Sequence, residues 1–288
     1  MDTDIKSEIR DFLSSRRARL TPQDVGLPAW GTNRRVKGLR REEVAMLAGV
    51  SAEYYIRLER GHLAGASDSV LEALASALRL DEAERAHLFD LARASAARAP
   101  HKAARQQVRP PVQWMLDAMS GTAAYVRNAR TDILASNALG RALYAPVFEM
   151  AGRPNIARFA FLDERAKEFF TDWDHVTRES AAMLRTLAGE NPFDNGLTHL
   201  VGELSTRSDY FRQLWASHEV RLHRTGTKRF HHPVVGDLTL VFEGMDLAAD
   251  SGLRVNAYAA EPGTPSAEAF ALLASWATTP TRAASTSE

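Results

Sequence analysis

Apolar residues recur at helical spacing through the first hundred residues, most clearly in EEVAMLAGVSAEYYIRLERG, residues 42–61. The apolar positions of its first half share one helical face: Val44, Ala45, Leu47 and Ala48. Gly49 can end that helix in a left-handed conformation, and Ser51 suits the N-cap of a second helix. Tyr55 and Leu58 would form the inward face of this second helix. Two helices joined through a glycine turn predict a helix-turn-helix unit.

Three further helices are predicted around this unit. The first would end near Leu20, and its apolar face contains Ile9, Phe12 and Leu13. The other two follow the helix-turn-helix unit. The apolar face of one contains Val70, Leu71, Leu74, Ala75 and Leu78, and that of the other contains Leu88, Phe89, Leu91 and Ala92. Ser69 with Glu72, and Asp81 with Glu84, have the spacing of a capping box at a helix start. Five short helices in about 95 residues predict a compact all-α domain.

The pattern changes after ARASAARAPHKAARQQVRPPVQ, which lacks apolar periodicity. We expect Pro110-Pro111 to stiffen the chain and to prevent helix formation there. The expected organisation is a helical domain at 1–97, a linker at 98–111, a second domain at 112–280 and a disordered tail at 281–288.

The second domain is expected to mix strands and helices. TAAYVRN and TDILASN predict a hairpin around Asn128 to Thr131, and alternation in GDLTLVFEGM and LRVNAYAAEP predicts two more strands. Helical faces contain Phe169, Trp173, Val176, Ser180, Met183, Leu187; then Leu197, Leu200, Leu204, Phe211, Leu214, Trp215; and finally Phe270, Leu272, Leu273, Trp276. This order predicts an α+β domain with helices on one face of a sheet. His231-His232 would lie at a strand start.

The formal net charge is zero, but the basic residues are unevenly distributed. Between Arg16 and Arg41 there are eight basic residues and one acidic residue. A local basic surface is sufficient to bind phosphates, although a solvated charged surface remains the alternative. The segment TPQDVGLPAWGTNRRVKG contains too many prolines and glycines for a helix. It is either a DNA-contacting arm or a surface loop.

Other features of the sequence indicate where the protein is found and whether it is an enzyme. The chain contains no cysteine, and no apolar run reaches the roughly 20 residues that span a bilayer. The N-terminal MDTDIKSEIRDF does not resemble a signal peptide, so we expect a cytoplasmic protein without membrane contact. HEVRLH, residues 218–223, lacks the i, i+4 histidine spacing of a zinc helix. We expect no catalytic residue, no metal and no cofactor.

The outer face of the second motif helix has the chemistry to read DNA. Arg can bind the O6 and N7 atoms of guanine, Glu can accept from cytosine N4, and hydroxyl groups suit phosphates. With the preceding basic residues, the candidate DNA-binding set is Arg34, Arg35, Lys37, Arg40, Arg41, Ser51, Ala52, Glu53, Tyr54, Arg57 and Arg60. The alternative is an ordinary helical hairpin with a polar outer face.

The sequence Leu58-Glu59-Arg60-Gly61 resembles the end of the motif in the lambda-repressor-like (XRE/Cro) helix-turn-helix family. The resemblance implies that Glu59 pairs with Arg17. It assigns base reading to Ala52, Glu53 and Arg57, with Ser51 and Tyr54 near phosphates. Tyr55 departs from the family's usual Ile or Val, and we expect it to be half-buried with its hydroxyl near a phosphate.

Longer stretches resemble the MmyB-like regulators: DVGLP, GLRREEVAMLAGVSAEYYIRLERG, NIARFAFLDERAKEFFTDWD, ELSTRSDYFRQLWASHEV and TGTKRFHHPVVGDLTL. This resemblance implies a PAS-like second domain that accepts an apolar, fatty-acid-like ligand. Aromatic and polar candidates for that site are Tyr125, Asn137, Phe159, Phe169, Trp173, Phe211, Trp215 and His218. The expected function is a transcription regulator that binds double-stranded DNA as a homodimer. The alternative is a second domain that serves only dimerisation or protein contact.

Overall fold

A computed structural model describes residues 2–27, 38–96, 107–221 and 224–278. The chain divides into two compact units. The first contains Met1–Lys102, Ala181–Thr198 and Arg212–Leu222, and the second contains Ala103–Ser180, His199–Phe211 and His223–Glu288. The predicted tail, 281–288, and most of the predicted linker lie outside the described residues. None of the described helices is long and apolar enough to cross a membrane.

The five helices predicted for the N-terminal hundred residues are confirmed. They are α1 (Asp2–Arg19), α2 (Arg41–Leu47), α3 (Ala52–Glu59), α4 (Asp68–Ala77) and α5 (Glu82–Ala96), and a 3-10 turn lies at Gln23–Val25. Each helix contributes apolar side chains to one buried core, among them Phe12, Leu13, Val44, Ala45, Tyr55, Leu58, Leu71, Leu74 and Leu88. The tip of the predicted arm, NRRVK, lies outside the described residues.

Local signals position these helices as expected, with one exception. Gly49 has φ +64°, so it ends the first motif helix in the left-handed conformation. The Asp81 and Glu84 capping box is present: Asp81 N donates to Glu84 Oε2 at 3.2 Å, and Glu84 N donates to Asp81 Oδ1 at 2.8 Å. The expectation for Ser69 is wrong, because Ser67 caps α4 by accepting from the Val70 backbone N–H.

The remaining elements mix helices and strands, as predicted. The helices are α6 (Pro110–Ala118), α7 (Ala138–Leu143), α8 (Ala145–Phe148), α9 (Ile156–Leu162), α10 (Ala166–Phe169), α11 (Trp173–Glu190), α12 (Asn195–Arg207), α13 (Asp209–Ala216) and α14 (Pro265–Thr278). The strands are β1 (Ala123–Arg127), β2 (Ile133–Ser136), β3 (Thr225–His232), β4 (Gly236–Asp246) and β5 (Arg254–Ala260). They form one sheet in the order β2-β1-β5-β4-β3, antiparallel throughout. The fold is α+β.

Three expectations about these elements are wrong. Helix α6 begins at Pro110, because proline is tolerated in the first turn, where its missing N–H has no helical partner. Phe169 ends the short helix α10 and so does not belong to the helix that begins at Trp173. His231 and His232 end β3 instead of starting a strand.

The two faces of the sheet have different coverings. On one face, Val112 and Leu116 of α6 pack with Val126 and Val255. Successive side chains alternate between faces, so neighbouring positions of the same strands face the other way. We call this second side the inward face; it contains Tyr125, Phe230, Phe242 and Tyr258. Phe169 of α10 packs against Phe230 on this face, with ring centres 5.4 Å apart. Helices therefore cover both faces, and the expectation of helices on only one face is wrong.

Candidate DNA-contacting helix and candidate ligand site

Helix α3 presents the predicted side chains outward. Ser51 Oγ accepts from the Tyr54 backbone N–H at 3.1 Å and so caps the helix. Tyr55, Leu58 and Glu59 are its buried residues. The outward positions are exposed at Glu53, Arg57 and Arg60 and half-buried at Ala52, Tyr54 and Ile56. This amphipathic division leaves polar and cationic groups free to meet a nucleic-acid surface.

Glu59 joins α3 to the two preceding helices. Its Oε1 accepts from Arg17 Nε at 3.0 Å and from Arg17 Nη2 at 2.7 Å, and its Oε2 accepts from Arg41. Arg17 also donates to the Leu39 carbonyl at 2.8 Å. The pairing that the helix-turn-helix resemblance implied is therefore confirmed. A forked, charge-assisted contact of this kind fixes the orientation of α3.

The expectation for Tyr55 is wrong. Its side chain is completely buried, and its hydroxyl has no hydrogen-bond partner among the described residues. Burial raises the pKa of Tyr55, with a further contribution from the neighbouring Glu59 carboxylate. The ring fills the core between α1 and α3, and its hydroxyl does not reach the surface.

The described basic residues near the motif differ in their surroundings. Arg40 is exposed at the N-cap of α2, where its backbone N–H donates to Glu43 Oε2 at 2.6 Å. Arg41 is about half exposed although it bonds Glu59. The Arg57 guanidinium lies 4.9 Å from the centre of the Tyr54 ring. Three of the predicted DNA-binding residues lie outside the described residues: Arg34, Arg35 and Lys37.

Aromatic rings converge on the inward face of the sheet. We call the following eight the aromatic cluster: Tyr125, Tyr144, Phe159, Phe169, Phe170, Phe230, Phe242 and Tyr258. Their neighbouring ring centres are 5.0–6.1 Å apart, mostly in edge-to-face contact. Three of the predicted ligand-site residues belong to this cluster: Tyr125, Phe159 and Phe169.

Three tyrosine hydroxyls meet inside the aromatic cluster. Tyr144 donates to the Tyr258 hydroxyl at 2.8 Å, and the Tyr125 and Tyr258 oxygens are 3.3 Å apart. Burial raises the pKa of all three side chains, so they remain neutral. Our sequence reasoning missed Tyr144 and Tyr258. The alternation along LRVNAYAAEP could have indicated the position of Tyr258, because it places this tyrosine on the other face of the strand from Val255 and Ala257.

Two other predicted ligand-site residues form separate aromatic pairs in the second unit. Trp173 stacks on Tyr210 with ring centres 4.9 Å apart, and its indole N–H donates to the Ala160 carbonyl at 2.9 Å. Phe211 meets Phe161 edge-on, also at 4.9 Å. Trp173 is half-buried, whereas Phe211 is fully buried.

Asn137 has a structural task that occupies its whole amide. Its Oδ1 accepts from Gly140 N at 2.7 Å, which caps α7, and from Ala124 N at 3.0 Å. Its Nδ2 donates to the carbonyls of Met119 at 2.9 Å and Thr122 at 2.7 Å. Since these bonds use both donors and both acceptor sites, the side chain offers no free group to a ligand.

Trp215 and His218 belong to the first unit. The Arg185 guanidinium lies 4.0 Å from the Trp215 ring centre and pairs with Glu8, whose carboxylate is 3.8 Å from His218 Nδ1. Burial raises the pKa of Glu8, but the neighbouring His218, His87 and Arg185 outweigh it and hold that pKa far below its usual range. Trp215 and His218 are thus members of a charged cluster in the first unit and not of the aromatic cluster.

An open cleft of about 750 Å³ lies elsewhere in the second unit. Four arginines line it: Arg153, Arg158, Arg165 and Arg207. Acidic partners accompany them, since Glu203 accepts from Arg158 at 2.8 Å and from Arg207 at 3.1 Å, and Asp163 pairs with Arg165 at 2.8 Å. The lining is therefore of mixed charge, unlike the aromatic cluster.

Both parts of the chain match protein-family models. Residues 8–88 match a helix-turn-helix domain, and residues 108–273 match the MmyB-like transcription regulator ligand binding domain. No curated protein matches the chain.

Together with the outward face of α3, these matches define a DNA-binding transcription regulator that has a domain for a small-molecule ligand. The chain belongs to the family of the MmyB-like transcription regulator ligand binding domain. Both matches point to a transcription regulator.

Proposed function

We propose that α3 enters the major groove of double-stranded DNA and reads sequence through Ala52, Glu53 and Arg57. Ser51, Tyr54 and Arg60 contact phosphates beside them. Arg40 and Arg41, with Arg34, Arg35 and Lys37, anchor the protein on the DNA backbone. The observation that carries this proposal is the exposed outer face of α3, supported from behind by the Glu59 contacts with Arg17 and Arg41.

Replacement of Arg57 tests the base-reading part. The full chain is first used to select its preferred sites from random duplexes, and fluorescence anisotropy then measures affinity for those sites and for scrambled duplexes. Arg57→Ala should cost roughly 1–3 kcal/mol on selected sites and relax preference at one base position. Arg10→Ala, which removes an exposed arginine from α1, is the matched control and should change neither affinity. An equal loss by Arg57→Ala on every duplex would make Arg57 a phosphate contact.

The second unit, in this proposal, senses a small apolar molecule of the fatty-acid kind. Its support is the aromatic cluster on the inward face, because ligand sites are lined mainly by apolar and aromatic side chains with few polar groups. Trp173 and Phe211, in their separate aromatic pairs, are the further candidate contacts. Trp173→Ala should lower the affinity for the ligand by more than the loss of folding stability can explain.

Regulation requires that ligand-bound and ligand-free states differ in affinity for DNA. In the proposal, the protein acts as a homodimer on two half-sites about one DNA turn apart, and the ligand changes the relative placement of the two DNA-binding domains. The sign of regulation depends on whether the ligand-free or the ligand-bound protein binds the operator more tightly.

One observation favours the second candidate function, in which the C-terminal half serves only dimerisation or protein contact. Large apolar side chains are exposed on two helices of the second unit: Trp114 and Met115 on α6, and Leu272 and Trp276 on α14. Exposed apolar groups of this size are typical of contact surfaces when they form a patch.

Native mass spectrometry of the purified full chain, followed by mild denaturation, separates the two candidates. A dimer that releases an apolar compound supports the sensor. An empty dimer that also fails to bind added alkanoic acids or alcohols supports the dimerisation function. A monomer that binds an apolar compound removes the dimer from the proposal but leaves the sensor.

A further inference from the structure

The first unit contains more of the chain than the helix-turn-helix domain. It also includes Ala181–Thr198, which begins with the second half of α11, and Arg212–Leu222, which begins with the second half of α13. Both stretches lie within 108–273, the residues that match the ligand-binding domain model. Val220 is buried in the same apolar core as Phe12 of α1. Part of the sequence of the ligand-binding family is therefore built into the unit that contains α3.

Arg185, in the second half of α11, is buried in the first unit. Its guanidinium pairs with the Glu8 carboxylate of α1, donates to the Trp215 carbonyl and lies 4.0 Å from the centre of the Trp215 ring. A guanidinium in such a place requires a counter-charge, because the loss of its hydration is costly. Glu8 supplies that charge, so the ion pair ties α11 to the first helix of the helix-turn-helix domain.

Two further contacts lie beside this ion pair. A Cβ on Gly189 of α11 would lie 2.6 Å from the His87 ring, so the backbone of α11 lies directly against α5. Arg16 of α1 donates to the His218 carbonyl, in the segment that follows α13. The two stretches from the ligand-binding family sequence therefore hold both α1 and α5, by packing as well as by charge.

Helix α1 is also the helix that holds α3. Near its C-terminal end, Arg17 pairs with Glu59 of α3 at 2.7 Å. Near its N-terminal end, the Lys6 backbone is so close to Gly61, just after α3, that a Cβ on this glycine would lie 2.6 Å away. Glu8 lies between these two contacts along α1. Because closely packed elements leave little room for independent adjustment, a displacement of α1 would also move α3.

We propose that the Arg185–Glu8 ion pair couples DNA binding by α3 to the second half of α11, so that each stabilises the other. The inference rests on the proposed binding of DNA by α3, and it adds a route by which that binding is regulated. Such coupling is reciprocal: if DNA stabilises α11, a change that displaces α11 weakens DNA binding by the same factor. The helix suits this role because it begins in the second unit at Trp173, a candidate ligand contact, and continues without interruption to Glu190.

Hydrogen-exchange mass spectrometry of the full chain, free and bound to a duplex that it has selected, tests the proposal without a ligand. In the wild type, the duplex should slow amide exchange at least threefold in α3 and also in residues 181–190. Glu8→Gln should keep the slowing in α3 and lose it in 181–190, because a neutral amide supplies no counter-charge to Arg185. Glu72→Gln is the matched control: Glu72 pairs with Arg85 at the surface, and its loss should leave both effects unchanged.

Slower exchange in α3 of the wild type without any change in 181–190 would overturn the coupling and leave DNA binding intact. Unchanged slowing of 181–190 in folded Glu8→Gln would also overturn it, because the ion pair would then not be the route. Arg185→Met removes the other partner and should repeat the result of Glu8→Gln, and circular dichroism verifies the fold of each variant. A wild type that selects no duplex would overturn the proposed DNA binding and this inference together.

Discussion

The Arg17 guanidinium and the Glu59 carboxylate are 2.7 Å apart, and Glu59 is almost completely buried. One carboxylate therefore organises three helices, since Arg17 belongs to α1, Arg41 to α2 and Glu59 to α3. Removing an acid from such a position leaves a partly buried guanidinium without its partner, and this costs more than the pair itself contributes.

We expect Glu59→Ala to lower the free energy of unfolding by about 3 kcal/mol, because it leaves Arg17 unpaired and opens space in the core. Urea unfolding followed by circular dichroism measures the change. Glu53→Ala removes an exposed acid from the same helix and should stay within about 0.5 kcal/mol of the wild type. A similar small effect for Glu59→Ala would mean that the contact does not hold α3 in place.

Gly61 should be intolerant of any side chain. Its φ is +97°, and a Cβ at this position would lie 2.6 Å from the Lys6 backbone in α1. Strain and overlap together predict that Gly61→Ala destabilises by about 3 kcal/mol. Gly65 also has a positive φ, +82°, but a Cβ there would meet nothing within 4 Å. Gly65→Ala should therefore cost only about 1 kcal/mol, and equal effects of the two changes would contradict the packing explanation.

The helix-turn-helix unit was predictable because its signals are local. Gly49, Ser51 and the Asp81 capping box each act within four residues, and the apolar spacing of α2 and α3 needs no knowledge of distant partners. The prediction that Tyr55 is half-buried was wrong for the opposite reason, because its burial depends on contacts with the distant helix α1. From the sequence alone, the hydroxyl of a tyrosine suggests partial exposure even at an apolar position.

The candidate ligand site was less predictable, because its members come from distant segments. Tyr144 and Tyr258 are 114 residues apart along the chain but share a hydrogen bond. Helical spacing grouped Trp215 with Phe211, yet the structure assigns them to different compact units. Residue type alone also made Asn137 a candidate contact, although its amide is used entirely within the fold.

Asn137→Ala tests that structural task. Four hydrogen bonds are lost, and the backbone N–H groups of Gly140 and Ala124 lose the acceptor they share. We expect a destabilisation of about 3 kcal/mol, measured by urea unfolding. Asn195→Ala changes an exposed asparagine at the start of α12 and should have little effect. If Asn137→Ala instead folded as stably as the wild type, the amide would be free for another role.

Acid should destabilise the second unit through His232. The ring is buried, with Nε2 3.0 Å from the Ala142 carbonyl; burial lowers its pKa from the usual 6.5, and the contact with that carbonyl only partly opposes the shift. The native state then binds fewer protons than the unfolded chain, so this stability is present above about pH 6.5 and is lost as the pH falls from there through the lower pKa of the folded state. His231 acts in the opposite sense, because hydrogen bonding to Asp237 raises its pKa and its contribution is lost as the pH rises.

Thermal unfolding at pH 5.5 and pH 7.5 measures this effect. The wild type should melt at a lower temperature at pH 5.5, and His232→Gln should reduce that difference even if it lowers both melting temperatures. His231→Gln should increase the difference in melting temperature between the two pH values, because protonated His231 stabilises the folded state at low pH and this contribution is lost. An unchanged difference in His232→Gln would assign the acid sensitivity to other groups.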